Sequence, residues 1–196
     1  WDLKKEVGRK VIHILSLIFL LIYYLASTTF SHKTSLFILA IILIILLKLE
    51  FARIELGRNI PIVSWFWQFK RTSEKHTLGG EIFFLIGAIL SLALFDLGIA
   101  TAAILMTTFG DLAASVFGKR FGKTWVMKDR ALEGIGAELV VNILIGYLVL
   151  GSGMWIITIL MAITATIVET IVHKLDDNLL IPLFAGFVGE ILLYLL

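Results

Sequence analysis

The sequence predicts an all-α polytopic membrane protein of about seven transmembrane helices, and three observations carry that expectation. First, the 196 residues are 59% hydrophobic, with a mean hydropathy of +0.99. That leaves too few polar residues to cover a soluble domain. Second, seven apolar runs approach the ~20 residues that cross a bilayer core. Third, 16 of the 17 Lys and Arg residues lie in the N-terminal tail and in every second connection. Only Lys33 falls on the other face. By the positive-inside rule this puts the N-terminus in the cytoplasm and the C-terminus outside.

The runs are residues 11–27, 35–49, 79–95, 97–117, 134–150, 154–172 and 179–196. The first is flanked by polar motifs and reads as a retained span, not a cleaved signal. The second is short, and the pattern extends it as helix through Lys48–Leu56. Only Asp96 separates the third run from the fourth, so a tight hairpin is expected there. Gly151-Ser152-Gly153 marks a second tight turn, between the fifth and sixth. Residues 51–78 form the longest connection, which contains Trp65, Phe66, Trp67 and Phe69 followed by Lys70, Arg71 and Lys75. That mixture suits a helix lying in the headgroup layer. The chain has no cysteine, which excludes thiolate ligands and a Cys nucleophile. The net charge is only +2, and no nucleic-acid partner is expected.

Ionisable groups at membrane depth are candidates for function. Asp111 ends an apolar run, 99–108, and Thr107, Asp111, Ser115 and Lys119 recur every fourth residue as a polar stripe. Glu6, Arg9, Lys10 and His13 stand at the entry of the first span. Glu138 and Asn142 share a face of the fifth, where they suit an interhelical hydrogen-bond pair. Glu169, His173 and Asp177 form another stripe if the sixth helix persists that far. All of these are expected at the cytoplasmic face. Glu190, in the last span, is expected to face a structural partner.

Gly118-Lys119-Arg120-Phe121-Gly122-Lys123-Thr124 has the composition of a phosphate cradle: glycines admit close backbone approach and the cations neutralise charge. It is not a P-loop, because Phe117 stands where the first glycine belongs and an apolar helix precedes it. Arg130, Glu133 and Gly134 follow it. Asp176-Asp177-Asn178 either caps the last helix or supplies oxygen ligands to Mg²⁺.

Taken in order, Arg9-Lys10-x-x-His13, Glu50-x-x-Arg53, Gly110-Asp111 with Ala114, Gly118, Gly122-Lys123, Glu133-Gly134, Glu169 and Asp176-Asp177-Asn178 with Pro182 span residues 9–182. Together they resemble the membrane family of CTP-dependent lipid-alcohol kinases: dolichol kinase, phytol kinase and CTP-dependent diacylglycerol kinase. Phosphatidate cytidylyltransferase is a more distant likeness. Arg130 departs from the usual Lys of the family's K-x-x-E-G string. The cytidylyltransferase signature, K-R-x4-K-D with H-G-G-x-x-D-R, is absent.

The resemblance implies transfer of the γ-phosphoryl of CTP to a lipid hydroxyl by a single integral-membrane catalytic domain, residues 1–196, working at the cytoplasmic face among membrane lipids. It implies Asp111, Asp177 and Glu169 as catalytic groups, with Mg²⁺ on Asp111 and Asp177. It further implies Arg9, Lys10, Gly118, Lys119, Gly122, Lys123, Arg130, Glu133, Gly134 and Asn178 around the nucleotide. A CDP-lipid synthase is the competing enzyme reading. A small ion or proton transporter is the non-enzyme reading, disfavoured because the charged residues gather at one face.

Overall fold

A computed structural model describes residues 3–55, 77–127, 130–172 and 175–196. The aromatic and basic segment 65–75, and with it the expected interfacial helix, lies outside the described residues, as does His173. The helices are α1 (Leu3–Leu15), α2 (Ile18–Thr29), α3 (His32–Ile54), α4 (Gly80–Leu94), α5 (Leu97–Phe121), α6 (Leu132–Leu150), α7 (Trp155–Ile171) and α8 (Asp177–Leu195). Strands β1 (Trp125–Met127) and β2 (Arg130–Ala131) lie between α5 and α6. Six helical stretches among the described residues are long and apolar enough to span a bilayer, and the shorter α4 is also apolar. The protein is an all-α polytopic membrane protein, as its sequence implies. Its contacts group it into two compact units, residues 1–89 and 90–196.

In the first unit the leading span is broken once. Ser16 donates its hydroxyl to the Ile12 carbonyl, and the amides of Leu17 and Phe19 bond three residues back. This local competition for backbone acceptors separates α1 from α2. Tyr23 and the His32 ring share a 2.7 Å hydrogen bond that ties α2 to the start of α3. Ser31 caps α3, accepting from the Thr34 amide at 3.2 Å. The helix then runs unbroken to Ile54, as the extended second run predicts. At its far end Arg53 grips both oxygens of Glu50 and donates to the Thr77 carbonyl at 2.8 Å. Leu25, Phe37 and Ile41 stay exposed, the arrangement expected where lipid is the solvent.

The second unit is built around α5, the most deeply enclosed of the long helices. Its buried face is rich in small residues, including Ala100, Ala102, Ala103, Ala113 and Ala114. Small residues let helices approach closely, which replaces the hydrophobic drive that lipid cannot supply. Ile99, Ala102, Ala103 and Met106 pack with Ile145 of α6, Met161 and Ala165 of α7, and Ile181 and Ala185 of α8. Asp96 caps α5 by accepting from the Gly98 amide at 2.8 Å, and its own amide donates to Glu190 at 2.7 Å. Glu190 therefore has the structural partner its sequence position suggests.

The connection between α5 and α6 differs from expectation. The helix of the fourth run continues to Phe121, so Gly118, Lys119 and Arg120 are its last turn and not part of a loop. A β-hairpin then follows, pairing Trp125 with Ala131 and Met127 with Arg130. A three-residue strand leaves too short a pattern to be read against seven helical runs. The turn at Gly151 appears as predicted, with φ at 81°, a backbone conformation that favours glycine.

α5 and α6 meet through glycine. A Cβ on Gly134 would stand 2.6 Å from the Ala114 carbonyl oxygen, whereas one on Gly136 would meet nothing within 4 Å. Gly134→Leu should therefore destabilise the protein by about 1–3 kcal/mol through overpacking. Gly136→Ala should leave it unchanged. Thermal melts of the two variants in the same detergent test the contrast.

Candidate active site

The hairpin places Arg130 at the centre of the candidate site. The Leu132 amide donates to the Thr124 carbonyl at 2.8 Å, closing the hairpin just before α6 begins. Arg130 then reaches across to α7 and forms an ion pair with Glu169, and its other nitrogen lies 3.7 Å from Asp177 at the start of α8. The Glu169 side chain is 1% exposed and the Arg130 side chain 19%. Burial opposes the guanidinium charge, but Glu169, Asp111 and Asp177 outweigh it and hold Arg130 above its ordinary pKa. Glu138 of α6 lies against Glu169 and also feels Arg130. Arg130 thus lies beside acids from two helices, and the charge of Asp111 from a third also acts on it.

Asp111 arrives by the predicted stripe. Ser115 hydrogen-bonds its Oδ1 at 3.5 Å, and Thr107, one turn away, is buried and bonded to the Ala103 carbonyl at 2.9 Å. Asp177 arrives differently. The expected stripe Glu169–His173–Asp177 does not form, because α7 ends at Ile171 and Asp177 opens a new helix. Arg130 brings the two acids together, not helical spacing. Asp176 takes the cap, accepting from the Asn178 amide at 3.0 Å and from the Asn178 side chain at 2.7 Å. Capping by the first aspartate leaves the second to face Arg130. Asn178 is buried and turned to Asp176.

The glycine-spaced string holds its shape by close packing. A Cβ on Gly122 would lie 2.2 Å from the Gly118 carbonyl oxygen and 2.7 Å from Ala131, and one on Gly118 would lie 3.5 Å from Gly134. Glu133 accepts from the amides of Lys123, at 3.1 Å, and Thr124, at 3.3 Å, so its carboxylate organises this backbone. Lys119, Arg120 and Lys123 are exposed. Lys10 and His13 belong to the first unit. There Lys10 is 7% exposed, and the His13 ring meets Phe84 edge-on at 6.2 Å. The Arg9 side chain lies outside the described residues.

Among the described residues, no three His, Cys, Asp or Glu side chains are gathered to hold a metal ion. Asp111 and Asp177 each offer carboxylate oxygens of the type Mg²⁺ prefers, and both are half-buried. Sequence reasoning missed two features: the pairing of Arg130 with Glu169, and the approach of Glu138 to Glu169. For Glu138 the signal was an acid in the interior of an apolar run, one turn from Asn142.

The fold and this cluster define an integral membrane protein whose second unit gathers acid and base at one end of a helical bundle. Two curated relatives give that class a direction. The chain is 26% identical over 148 residues to CTP-dependent diacylglycerol kinase 1 of Saccharomyces cerevisiae, covering 72% of this chain and 49% of that protein. It is 31% identical over 143 residues to CTP-dependent diacylglycerol kinase 1 of Schizosaccharomyces pombe, covering 64% of each. The chain thus spans between about half and two thirds of the length of these relatives. No family model matches the chain, and no solved structure matches it. The likeness supports kinship with the CTP-dependent lipid kinases.

Removing the cation of a buried pair strands the acid, at a cost of about 3–5 kcal/mol. Arg130→Met should therefore destabilise the protein strongly. Adding Glu169→Gln should recover part of the loss, and a double-mutant cycle of denaturation midpoints measures the coupling.

Proposed function

We propose that the protein is a membrane lipid kinase that transfers the γ-phosphoryl of CTP to the hydroxyl of a lipid alcohol. The observation that carries this reading is Arg130 set between Glu169 and Asp177, with the exposed cations Lys119 and Lys123 at the end of α5 and just beyond it. The likeness to two CTP-dependent diacylglycerol kinases supports the donor and favours a diacylglycerol-type acceptor. An isoprenoid alcohol, of the dolichol, polyprenol or phytol kind, is the second acceptor class in the same reading. The site is proposed to lie at the cytoplasmic face, where most Lys and Arg residues of the chain gather.

Phosphoryl transfer asks a protein mainly for positioning and charge neutralisation. Lys119 and Lys123 meet the triphosphate oxygens. Gly118, Gly122 and Gly134 let α5 and α6 close together beneath the nucleotide, and Glu133 fixes the backbone of Lys123 and Thr124. Asp111 and Asp177 would hold Mg²⁺, with Asn178 securing the cap before Asp177. When bound, that ion would neutralise the charge developing on the phosphates. The lipid hydroxyl oxygen forms a bond to the γ-phosphorus as the bond to the β-phosphate oxygen breaks, releasing CDP. Glu169 or Asp177 takes the hydroxyl proton; Asp177 is the more exposed of the two. Glu169 remains paired with Arg130 until phosphate oxygens draw the guanidinium away.

Two experiments test the reading. With γ-labelled CTP and a panel of lipid alcohols, label should appear in the lipid. Label in released pyrophosphate would mean a CDP-lipid synthase instead. Asp111→Asn should lower kcat by about 10³-fold or more if it supports the transferred charge, while the protein keeps its elution profile and melting temperature. Full activity in that variant removes Asp111 from the site.

A further inference from the structure

Strand β1 is exposed along its whole length: Trp125 is 53% exposed, Val126 54% and Met127 37%. Successive side chains of a strand point to opposite faces, so both faces of β1 carry exposed apolar groups. A hairpin facing water on one side would alternate apolar with polar residues. The last turns of α5 add Phe117 and Phe121, also exposed, with rings 5.7 Å apart. The Arg120 guanidinium stands over the Phe121 ring at 5.6 Å. None of these six residues has a part in the proposed reaction.

The hairpin is built to hold these side chains out. Trp125 pairs with Ala131, which is buried, and the Leu132 amide closes on the Thr124 carbonyl. The bilayer boundary is close. α5 has 25 residues where about 20 cross the hydrocarbon, so its last turn reaches the headgroup layer. β2 runs directly into α6, the next span. The charge is of one sign: residues 112–127 include Lys119, Arg120 and Lys123 and no acid, and all three cations are exposed. Segment 56–76 carries four Lys or Arg against one acid, so like charge disfavours it as a cover. A second copy of the same surface meets the same repulsion.

We infer that the β-hairpin and the last turn of α5 form a docking surface for anionic phospholipid headgroups. Trp125, Val126 and Met127 enter the interfacial layer, and Arg120 meets lipid phosphate with its plane over Phe121. Because β2 carries Arg130, the membrane surface then sets the height of Arg130 against the bilayer. The inference is independent of the kinase reading, since the surface needs no nucleotide.

The chain has no cysteine, so one introduced thiol carries a nitroxide label uniquely. Val126→Cys is labelled in the full chain, in nanodiscs of phosphatidylcholine or of an equimolar mixture with phosphatidylglycerol. Collisions with oxygen and with a water-soluble nickel chelate report its depth. Leu144→Cys, at an exposed position inside α6, is the lipid reference, and free label the water reference. The Val126→Cys label should lie between the two references and shift toward lipid when phosphatidylglycerol is present. Arg120→Glu should remove that shift while the melting temperature stays unchanged. Met127→Cys repeats the measurement if Val126→Cys does not fold. The inference fails if the label reads as free in water, or if it is shielded from both reagents by protein. It also fails if depth is the same in the two lipids, or if the shift survives Arg120→Glu.

Discussion

The second unit depends on one buried ion pair, Arg130 with Glu169. In a low-dielectric interior such a pair adds little net stability, but either partner alone is expensive. That asymmetry makes the pair a constraint on position. Glu169 sits near the end of α7, and Arg130 is carried by a two-residue strand between α5 and α6. Satisfying the acid requires the hairpin to fold back over α7. The same reach brings Arg130 to Asp177 of α8 and into the field of Asp111 of α5. A cluster drawn from three helices thus follows from neutralising one acid.

The cluster could not assemble on bulkier helices. Gly134 lies close enough to the Ala114 carbonyl that no side chain fits between α5 and α6, and Gly110 is closed by Asn142. Alanine along the buried face of α5 gives the other helices the same freedom. Close approach is what allows Asp111, Glu138 and Glu169 to feel one another at all. Packing and electrostatics are therefore one design here: small residues set the spacing, and the spacing sets the charge density that Arg130 answers.

How much of this the sequence makes legible follows the range of each interaction. Helical periodicity is local, so the runs, the continuation of α3, the turn at Gly151 and the Asp111–Ser115 stripe can all be read directly. Glu190 bonding the Asp96 amide was readable as a structural role, though not with its partner named. The Arg130–Glu169 pair joins residues 39 positions apart through a hairpin too short to signal itself. The Glu169–Asp177 stripe fails for a related reason. Periodicity assumes a continuous helix, and α7 stops at Ile171, six residues before Asp177. Composition suggested a phosphate cradle over Gly118–Thr124, and the resemblance added Gly134; what contact between Gly118 and Gly134 contributes, close packing of α5 on α6, depends on geometry that neither could supply.

The distribution of charge along the bundle bears on the choice between the proposed kinase and a conduit. In the second unit, the acids at membrane depth lie toward the ends of α5 and α7 and the starts of α6 and α8. At the opposite end, Glu190 is spent on the Asp96 amide. Between them the buried polar groups are neutral: Asn142 bonded to Thr166, then Thr158 against Gly146. A pathway for ions needs charge or water through the full depth, whereas here the middle of the bundle holds only neutral buried polar groups between the two charged ends. Such an arrangement suits a reaction in which a charged donor approaches from water and an apolar acceptor from lipid. The place where the two can meet is where Arg130 stands.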